Sequence, residues 1–296
     1  QYSNGPVAVE YLWQAYNPDP GDPTFTPSLA GGTNHAIGGA TTGMANYNSV
    51  NPGVPVFLQP IFTDKGTNWQ LEAFTAQPPV FDPATSLFVV WLFPNDLFYA
   101  NETGKIPTAT GGVPGNPDPE IFSAQLIANG VANILTTVEK LAALGAQHFL
   151  VPNMPDVGKT PGYVGKGGEG DMTALSIAFN NYLALGLTKL DKDLTLAEIV
   201  QFDTFGLFNK IIADPAAWGF EVTDKACVAY LNAYDAGLCN SKNWDKWVFW
   251  DSVHPTTSAH AVLGREFAAS VPEPGTIFLL AIGLFGIAVS RRRTTA

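Results

Sequence analysis

Residues 86–93 read Ser-Leu-Phe-Val-Val-Trp-Leu-Phe, a run that is apolar at all but its first position. Such a run is typical of a strand that is buried on both faces of a parallel sheet. Two shorter apolar runs, at residues 147–151 and 198–202, predict two further strands of the same kind.

Helical patterns lie between these strands. The clearest covers residues 121–144, where apolar side chains recur at helical spacing and Gly145 marks the end. Three further helices are predicted at residues 7–16, 173–190 and 256–269. Long loops are predicted at residues 101–119, 157–170 and 213–246. Strands that alternate with helices indicate an α/β protein with a parallel sheet, whose sites gather at the carboxyl ends of the strands.

Length and charge narrow the possible classes of protein. The chain has 296 residues, of which 46% are hydrophobic, so one large domain from residue 1 to about residue 270 can bury a core. The net charge of −11 argues against a nucleic-acid partner, because phosphate binding needs clustered lysine and arginine.

The two cysteines, Cys227 and Cys239, lie in a stretch rich in Asn, Asp and Gly. In an oxidising compartment this pair predicts a disulfide that closes a short loop, and the alternative is two free buried thiols. No histidine lies beside them at ligand spacing, so we expect no metal site there.

The C-terminus carries a distinctive local signal. Residues 271–275 read Val-Pro-Glu-Pro-Gly, residues 276–290 are apolar and uncharged, and residues 291–293 are three arginines. Fifteen apolar residues are fewer than the roughly 20 that span a bilayer comfortably. The basic end nevertheless favours a membrane stop with its arginines on the cytoplasmic side. The alternative is a short buried core helix.

Residues 271–296 resemble a PEP-CTERM sorting signal, which has a Pro-Glu-Pro motif, an apolar helix and a basic end. The resemblance implies export across the inner membrane of a Gram-negative bacterium, with transient membrane association through this tail. It also implies processing by an exosortase-type peptidase and delivery to the cell surface or beyond. The sequence begins at Gln1 without a signal peptide, so we expect an N-terminus that is incomplete, mature or both.

The block from Trp250 to Pro255 contains an aspartate three residues before a histidine. At this spacing the carboxylate of Asp251 can lie against an imidazole nitrogen of His254, orient the ring and stabilise its protonated form. The alternative is a loop histidine that a nearby aspartate caps.

Two further blocks lie where strands or loops can supply hydrogen-bond donors. Asn95 follows the strongest strand, and its side-chain N–H can stabilise a developing oxyanion. Gly39, with Gly38 as the alternative, lies in a Gly-Gly segment whose backbone can approach a reacting carbonyl closely. The alternatives are an ordinary Asn-Asp turn and a generic glycine turn.

Taken in order, these blocks resemble the conserved blocks of GDSL/SGNH hydrolases over roughly residues 3–267. The resemblance implies a three-layer α/β/α sandwich with a flavodoxin-like parallel sheet. It also implies that His254 is the base, Asp251 orients it, and Gly39 and Asn95 form the oxyanion hole. Phe93 replaces a glycine of the family pattern, a departure expected to reshape the pocket. No cofactor or metal is implied.

The family takes its nucleophile from a Gly-Asp-Ser block on the first strand, and this sequence contains no such block and no Gly-x-Ser-x-Gly elbow. Ser252 and Ser86 are poorly placed to replace it. We therefore expect the serine upstream of Gln1, and a sheet that is short of its first strand. The polypeptide as printed is then expected to fold poorly and to hydrolyse nothing. The alternative is a natural domain that has lost its nucleophile.

The resemblance implies a carboxylic ester hydrolase at the cell surface. Short acyl esters, lipids and acetylated polysaccharides remain as substrate classes. The competing hypothesis is a non-catalytic surface or matrix module that binds carbohydrate on a retired hydrolase scaffold.

Overall fold

A computed structural model describes residues 2–19, 25–26, 30, 32–229, 233–234 and 239–272. The helices are α1 (Ala8–Tyr16), α2 (Thr67–Ala76), α3 (Pro94–Thr103), α4 (Pro119–Ala143), α5 (Glu169–Asp193), α6 (Thr204–Ala213) and α7 (Thr257–Ser270). The strands are β1 (Leu87–Val89), β2 (Lys105–Thr108), β3 (Gly111–Pro114), β4 (His148–Pro152), β5 (Glu198–Phe202), β6 (Val222–Ala226), β7 (Val228–Ala229), β8 (Ala233–Tyr234) and β9 (Trp247–Phe249). The apolar tail from residue 273 onward lies outside the described residues.

The central sheet contains three parallel strands in the order β1-β4-β5. Phe88 lies beside Phe149, which in turn lies beside Ile199. Side chains alternate across this sheet, as the pleat of a strand requires. Phe149 packs into one apolar core and its neighbour Leu150 packs into the other.

Helices cover both faces of the sheet. Residues of α2, α3, α4 and α5 join the first core, and residues of α1, α6 and α7 join the second. Because both faces of the sheet are covered, its strands are apolar at successive positions and do not alternate between apolar and polar residues. The predicted three-layer α/β/α sandwich is confirmed.

Helix α4 (Pro119–Ala143) begins two residues before its predicted start and ends one residue before its predicted end. The side chain of Asp118 accepts hydrogen bonds from the N–H groups of Glu120 and Ile121, and Gly145 follows the helix with a φ of 102°. In the described part of the chain, α4 alone is long and apolar enough to cross a membrane. Its buried face, which includes Ile134 and Val138, belongs to the core between the helices and the sheet.

Some predicted boundaries were wrong. The run at residues 86–93 forms a strand only at Leu87–Val89, although the N–H of Val90 still bonds the carbonyl of Leu150. The predicted loop at residues 101–119 contains the antiparallel hairpin β2–β3, and the predicted loop at 213–246 contains β6, β7 and β8. These strands are only two to five residues long, and β2 and β3 contain Gly, Pro and Thr, so no local apolar pattern marks them.

Candidate active site

The turn at residues 250–255, which we call the His254 turn, connects β9 to α7. The Asp251 carboxylate accepts hydrogen bonds from the backbone N–H groups of Val253 (2.9 Å) and His254 (2.8 Å). Its second oxygen, Oδ2, lies 2.8 Å from Nδ1 of His254. The side chain of Thr256 then caps α7 by accepting from Ala259 N–H, which fixes the point at which the turn becomes a helix. One carboxylate therefore holds both the backbone of the turn and the imidazole.

The charge state of Asp251 suits this role. Burial of the carboxylate acts to raise its pKa. The hydrogen bond from His254, the charge of that ring and the two backbone N–H groups together outweigh burial, so the pKa of Asp251 lies below its ordinary value. The group is therefore ionised at neutral pH and accepts the Nδ1 proton of His254, which leaves Nε2 for proton transfer.

Tyr2 forms one wall of the His254 turn, although no sequence motif marks it as a site residue. Its ring stacks on the imidazole of His254 with 4.8 Å between centroids and 23° between planes. The segment is held in place because Oδ1 of Asn4 accepts the N–H of Thr257 at 2.8 Å. Burial raises the pKa of Tyr2, whose hydroxyl also bonds the side chain of Asn48.

Gly39 occupies a position that only glycine fits without strain. Its φ is 82°, in the left-handed region, and a Cβ there would lie 2.5 Å from Oδ1 of Asn46 and 2.6 Å from Nδ2 of Asn48. The Gly39 carbonyl accepts the N–H of Tyr47 at 2.7 Å. Asn48 also donates to the carbonyl of Gly38 at 2.9 Å. Asn48 thus connects the glycine loop to Tyr2 and, through the Tyr2 ring, to His254.

Two consecutive side chains of α3 hold the same loop, and we call this arrangement the Asp96 clamp (Ala40, Thr42, Asn95 and Asp96). Nδ2 of Asn95 donates to the carbonyl of Ala40 at 3.1 Å. Asp96 accepts the N–H of Thr42 at 2.8 Å and its hydroxyl at 2.6 Å, while Nδ2 of Asn133 donates to that hydroxyl oxygen at 3.0 Å. These bonds hold the start of α3, which follows β1, against the loop at residues 38–42.

The carboxylate of Asp96 is fully buried. Burial raises its pKa to about 7, against the lowering effect of the two Thr42 hydrogen bonds. The sequence motif alone does not place Asp96 in the site.

Phe93 takes the glycine position of the motif and keeps a glycine-like backbone, with a φ of 103°. Its ring is buried, stacks on Phe179 at 3.8 Å between centroids, and covers Gly130, where a Cβ would collide with it. A non-glycine residue in this region costs about 1–3 kcal/mol, which the packing of the ring offsets. The substituted residue thus preserves the turn that presents Asn95.

The region beside the His254 turn contains the two cysteines. Cys227 and Cys239 form a disulfide with 5.1 Å between their Cα atoms. They pack with Trp247 and Trp250, which are buried. In the part of the chain that the structure describes, no group of three or more His, Cys, Asp or Glu side chains is placed to hold a metal ion.

Comparison with protein families gives two matches. A model described as GDSL-like Lipase/Acylhydrolase matches residues 1–267. A second model, the PEP-CTERM protein-sorting motif, matches residues 270–293. The sorting motif indicates exosortase processing and export through the inner membrane of a Gram-negative bacterium to the cell surface or the extracellular space.

Three relatives illustrate the likeness. A GDSL esterase/lipase of Arabidopsis thaliana is 27% identical over 289 residues, which cover 91% of this chain and 79% of that protein. A second Arabidopsis thaliana GDSL esterase/lipase is 25% identical, and the match covers 76% of this chain and 65% of that protein. An anther-specific proline-rich protein of Brassica napus is 28% identical, with 50% and 34% covered. This chain therefore spans less than two thirds of the second and third relatives.

Proposed function

The chain belongs to the GDSL-like lipase/acylhydrolase family, and from this membership we propose that it is a carboxylic ester hydrolase in which His254 is the general base. The observation that carries the proposal is the 2.8 Å contact between Nδ1 of His254 and Oδ2 of Asp251. Asp251 is fixed by two backbone N–H groups, so it can orient the imidazole and stabilise it when protonated.

In the proposed reaction a serine hydroxyl attacks the carbonyl carbon of the ester. Nε2 of His254 takes the hydroxyl proton as the new C–O bond forms, and returns it to the leaving alcohol as the ester bond breaks. Water then attacks the acyl-serine and gives its proton to the same nitrogen. As the second tetrahedral intermediate breaks its bond to the serine oxygen, Nε2 returns the proton to that oxygen, and the carboxylic acid leaves.

We propose that two hydrogen-bond donors stabilise the negative charge of each tetrahedral intermediate. They are the backbone N–H of Gly39 and the side-chain amide of Asn95. Asn95 carries two side-chain N–H groups, so one can hold Ala40 while the other faces the oxyanion. The Asp96 clamp supports this assignment, because it keeps the two donors on neighbouring segments. Donors that are fixed before the reaction need no reorganisation when charge develops.

We assign the nucleophile to a serine that precedes Gln1. Among the described residues β1 pairs with β4 on one side, so its other edge can accept a further parallel strand. Such a strand would end next to Asn95, at the carboxyl edge of the sheet where active sites of this architecture form. Sequencing the coding DNA upstream of Gln1 tests this assignment, which predicts an in-frame Gly-Asp-Ser block.

We also propose that residues 1–270 form the hydrolase domain and residues 271–296 a separate sorting segment with transient membrane association. The ends of the two family matches, at residues 267 and 270, support this division. Lipids, short acyl esters and acetylated polysaccharides are the candidate substrates.

The decisive experiment measures hydrolysis of a panel of p-nitrophenyl esters by the protein as its gene encodes it. His254→Ala is expected to lower kcat by at least about 10⁴-fold, because the base itself is removed. His148→Ala is the matched control, since His148 begins β4 at the opposite end of the sheet, and it should keep full activity.

Full activity in His254→Ala would contradict the proposal. If the gene lacks the serine block and no ester is cleaved, the non-catalytic carbohydrate-binding hypothesis takes its place.

A further inference from the structure

Residues 54–62, which we call the apolar segment, expose several large hydrophobic side chains close together. Val56 and Phe57 are each 79% exposed and Ile61 is 61% exposed. Single exposed hydrophobic residues are common on protein surfaces. Several within one short segment indicate a surface that binds something apolar.

The apolar segment belongs to a region without charge. Residues 23–63 contain no Asp, Glu, Lys or Arg, although the whole chain has 26 acidic and 15 basic residues. Binding through this segment therefore desolvates no charged side chain of its own. An uncharged surface is the electrostatic complement of an uncharged partner.

Part of the backbone of the apolar segment is already hydrogen-bonded within the segment. The N–H groups of Leu58, Gln59 and Ile61 donate to carbonyls within the segment at 2.8, 3.3 and 3.2 Å. Pro55 and Pro60 have no N–H to satisfy. A partner protein offers backbone and side-chain hydrogen bonds, and this segment presents few donors for them. A lipid offers none in its hydrocarbon region, which favours the N–H groups of Leu58, Gln59 and Ile61 because they are already satisfied.

Hydrogen bonds connect the apolar segment to the candidate active site. The side chain of Gln59 donates to the carbonyl of Asn51 at 3.1 Å, and Asn51 donates to Asn48 at 3.4 Å. Asn48 donates to the carbonyl of Gly38, next to the proposed oxyanion donor Gly39. The exposed side chains therefore belong to a segment that is hydrogen-bonded to the loop beside the candidate active site.

We propose that the apolar segment docks the protein on the surface of an uncharged lipid, so that water-insoluble esters reach the site from that surface. The proposal rests on the proposed ester hydrolysis and names the physical state of the substrate. Phe57, Val56 and Ile61 enter the outer hydrocarbon of the lipid, while the acidic remainder of the protein stays in water.

The test places an environment-sensitive fluorophore, NBD, on Phe57→Cys in the complete gene product. Cys227 and Cys239 are joined to each other, so within the printed sequence the introduced thiol is the one free to react, and any cysteine that the gene adds is replaced by serine. The matched control is Leu196→Cys, which is 80% exposed and lies between α5 and β5. Both proteins carry the same apolar tail, so the comparison isolates the apolar segment.

With phosphatidylcholine vesicles, we expect the NBD emission at position 57 to rise several-fold and shift to shorter wavelength, while the label at position 196 does not change. An unchanged label at position 57, or equal changes at both positions, would overturn the proposal. So would a response that needs phosphatidylglycerol and disappears in salt, or one that rises with protein concentration without vesicles and shows self-association.

Hydrolysis of a soluble short-chain ester is measured on the same labelled protein. A label that enters lipid without any hydrolysis supports the docking surface while the proposed function fails. Hydrolysis with a label that stays in water supports the function while the docking surface fails.

Discussion

Asp251 and Asp96 lie on two sides of the same candidate site, and their surroundings act on them in opposite directions. Asp251 keeps 28% of its side chain exposed and faces an imidazole, and its pKa lies below the ordinary value. Asp96 is fully buried, and burial raises its pKa to about 7. Both carboxylates accept two backbone or hydroxyl hydrogen bonds, so the number of bonds does not explain the difference. Access to water and the imidazole partner of Asp251 decide it.

The two regions are also built differently. In the His254 turn, all contacts that orient the imidazole through Asp251 lie within four residues of the chain. In the Asp96 clamp, Thr42 and Asp96 are 54 residues apart. The first region can therefore survive changes elsewhere, whereas the second depends on the docking of a loop on a helix.

Asp251→Asn tests the His254 turn and carries the largest expected effect. The asparagine oxygen can still accept the N–H groups of Val253 and His254, but its amide cannot accept the Nδ1 proton. The turn should keep its shape while the imidazole loses its orientation, and we expect kcat to fall by about 10⁴-fold. The measurement is ester hydrolysis by the complete gene product, with its melting temperature as the check on folding.

Asp245→Asn is the matched control for this variant, because Asp245 lies outside the His254 turn, in the short helical turn before β9. It should keep its activity. A kcat for Asp251→Asn that remains close to the unsubstituted value would mean that the contact with His254 is structural only.

Gly39→Ala tests the other side of the site, with a smaller expected effect. The new Cβ would crowd Asn46 and Asn48 and would have to accept a φ of 82°. Displacement of one oxyanion donor lowers kcat by about 10²–10³-fold. Gly145→Ala is the control, because it has the same kind of φ and open space around it. It should lose about 1–2 kcal/mol of stability and no activity. Equal losses of activity in both variants would sink the assignment of Gly39.

The difference between the two regions also explains what the sequence could predict. The strands at 148–152 and 198–202 and the pairing of Asp251 with His254 follow from short-range patterns, namely apolar runs and a three-residue spacing. Tyr2 was missed because its stacking on His254 joins the two ends of the described chain. The contact between Asp96 and Thr42 was missed because 54 residues of chain separate them.

Phe93 shows a different limit of sequence reasoning. A phenylalanine in place of a glycine predicts a changed backbone, since few non-glycine residues have positive φ. The structure keeps the glycine-like φ because Phe179 and Gly130 provide a slot for the ring. That slot is formed by α4 and α5, far along the chain, so a motif comparison cannot detect it.

The pH dependence of stability separates the two aspartates, and it is the smallest of these effects. The pKa of Asp251 is lowered by folding, so its stabilisation is present at neutral pH and is lost as the pH falls. The pKa of Asp96 rises from 3.8 to about 7 on folding. The folded state then holds a proton that the unfolded state has released, and stability falls as the pH rises between these values.

Asp96→Asn removes that loss. The measured quantity is the free energy of unfolding of Asp96→Asn minus that of the unsubstituted protein. From pH 5 to pH 8 this difference should rise by about 2–3 kcal/mol in favour of the variant. Thr42→Val keeps the carboxyl group but removes the hydroxyl that favours its ionised form, so its relative stability should worsen over the same interval. Urea unfolding of the three proteins at the two pH values provides the measurement. If both variants shift in the same direction, the change comes from lost packing, and the Asp96 clamp does not titrate in this range.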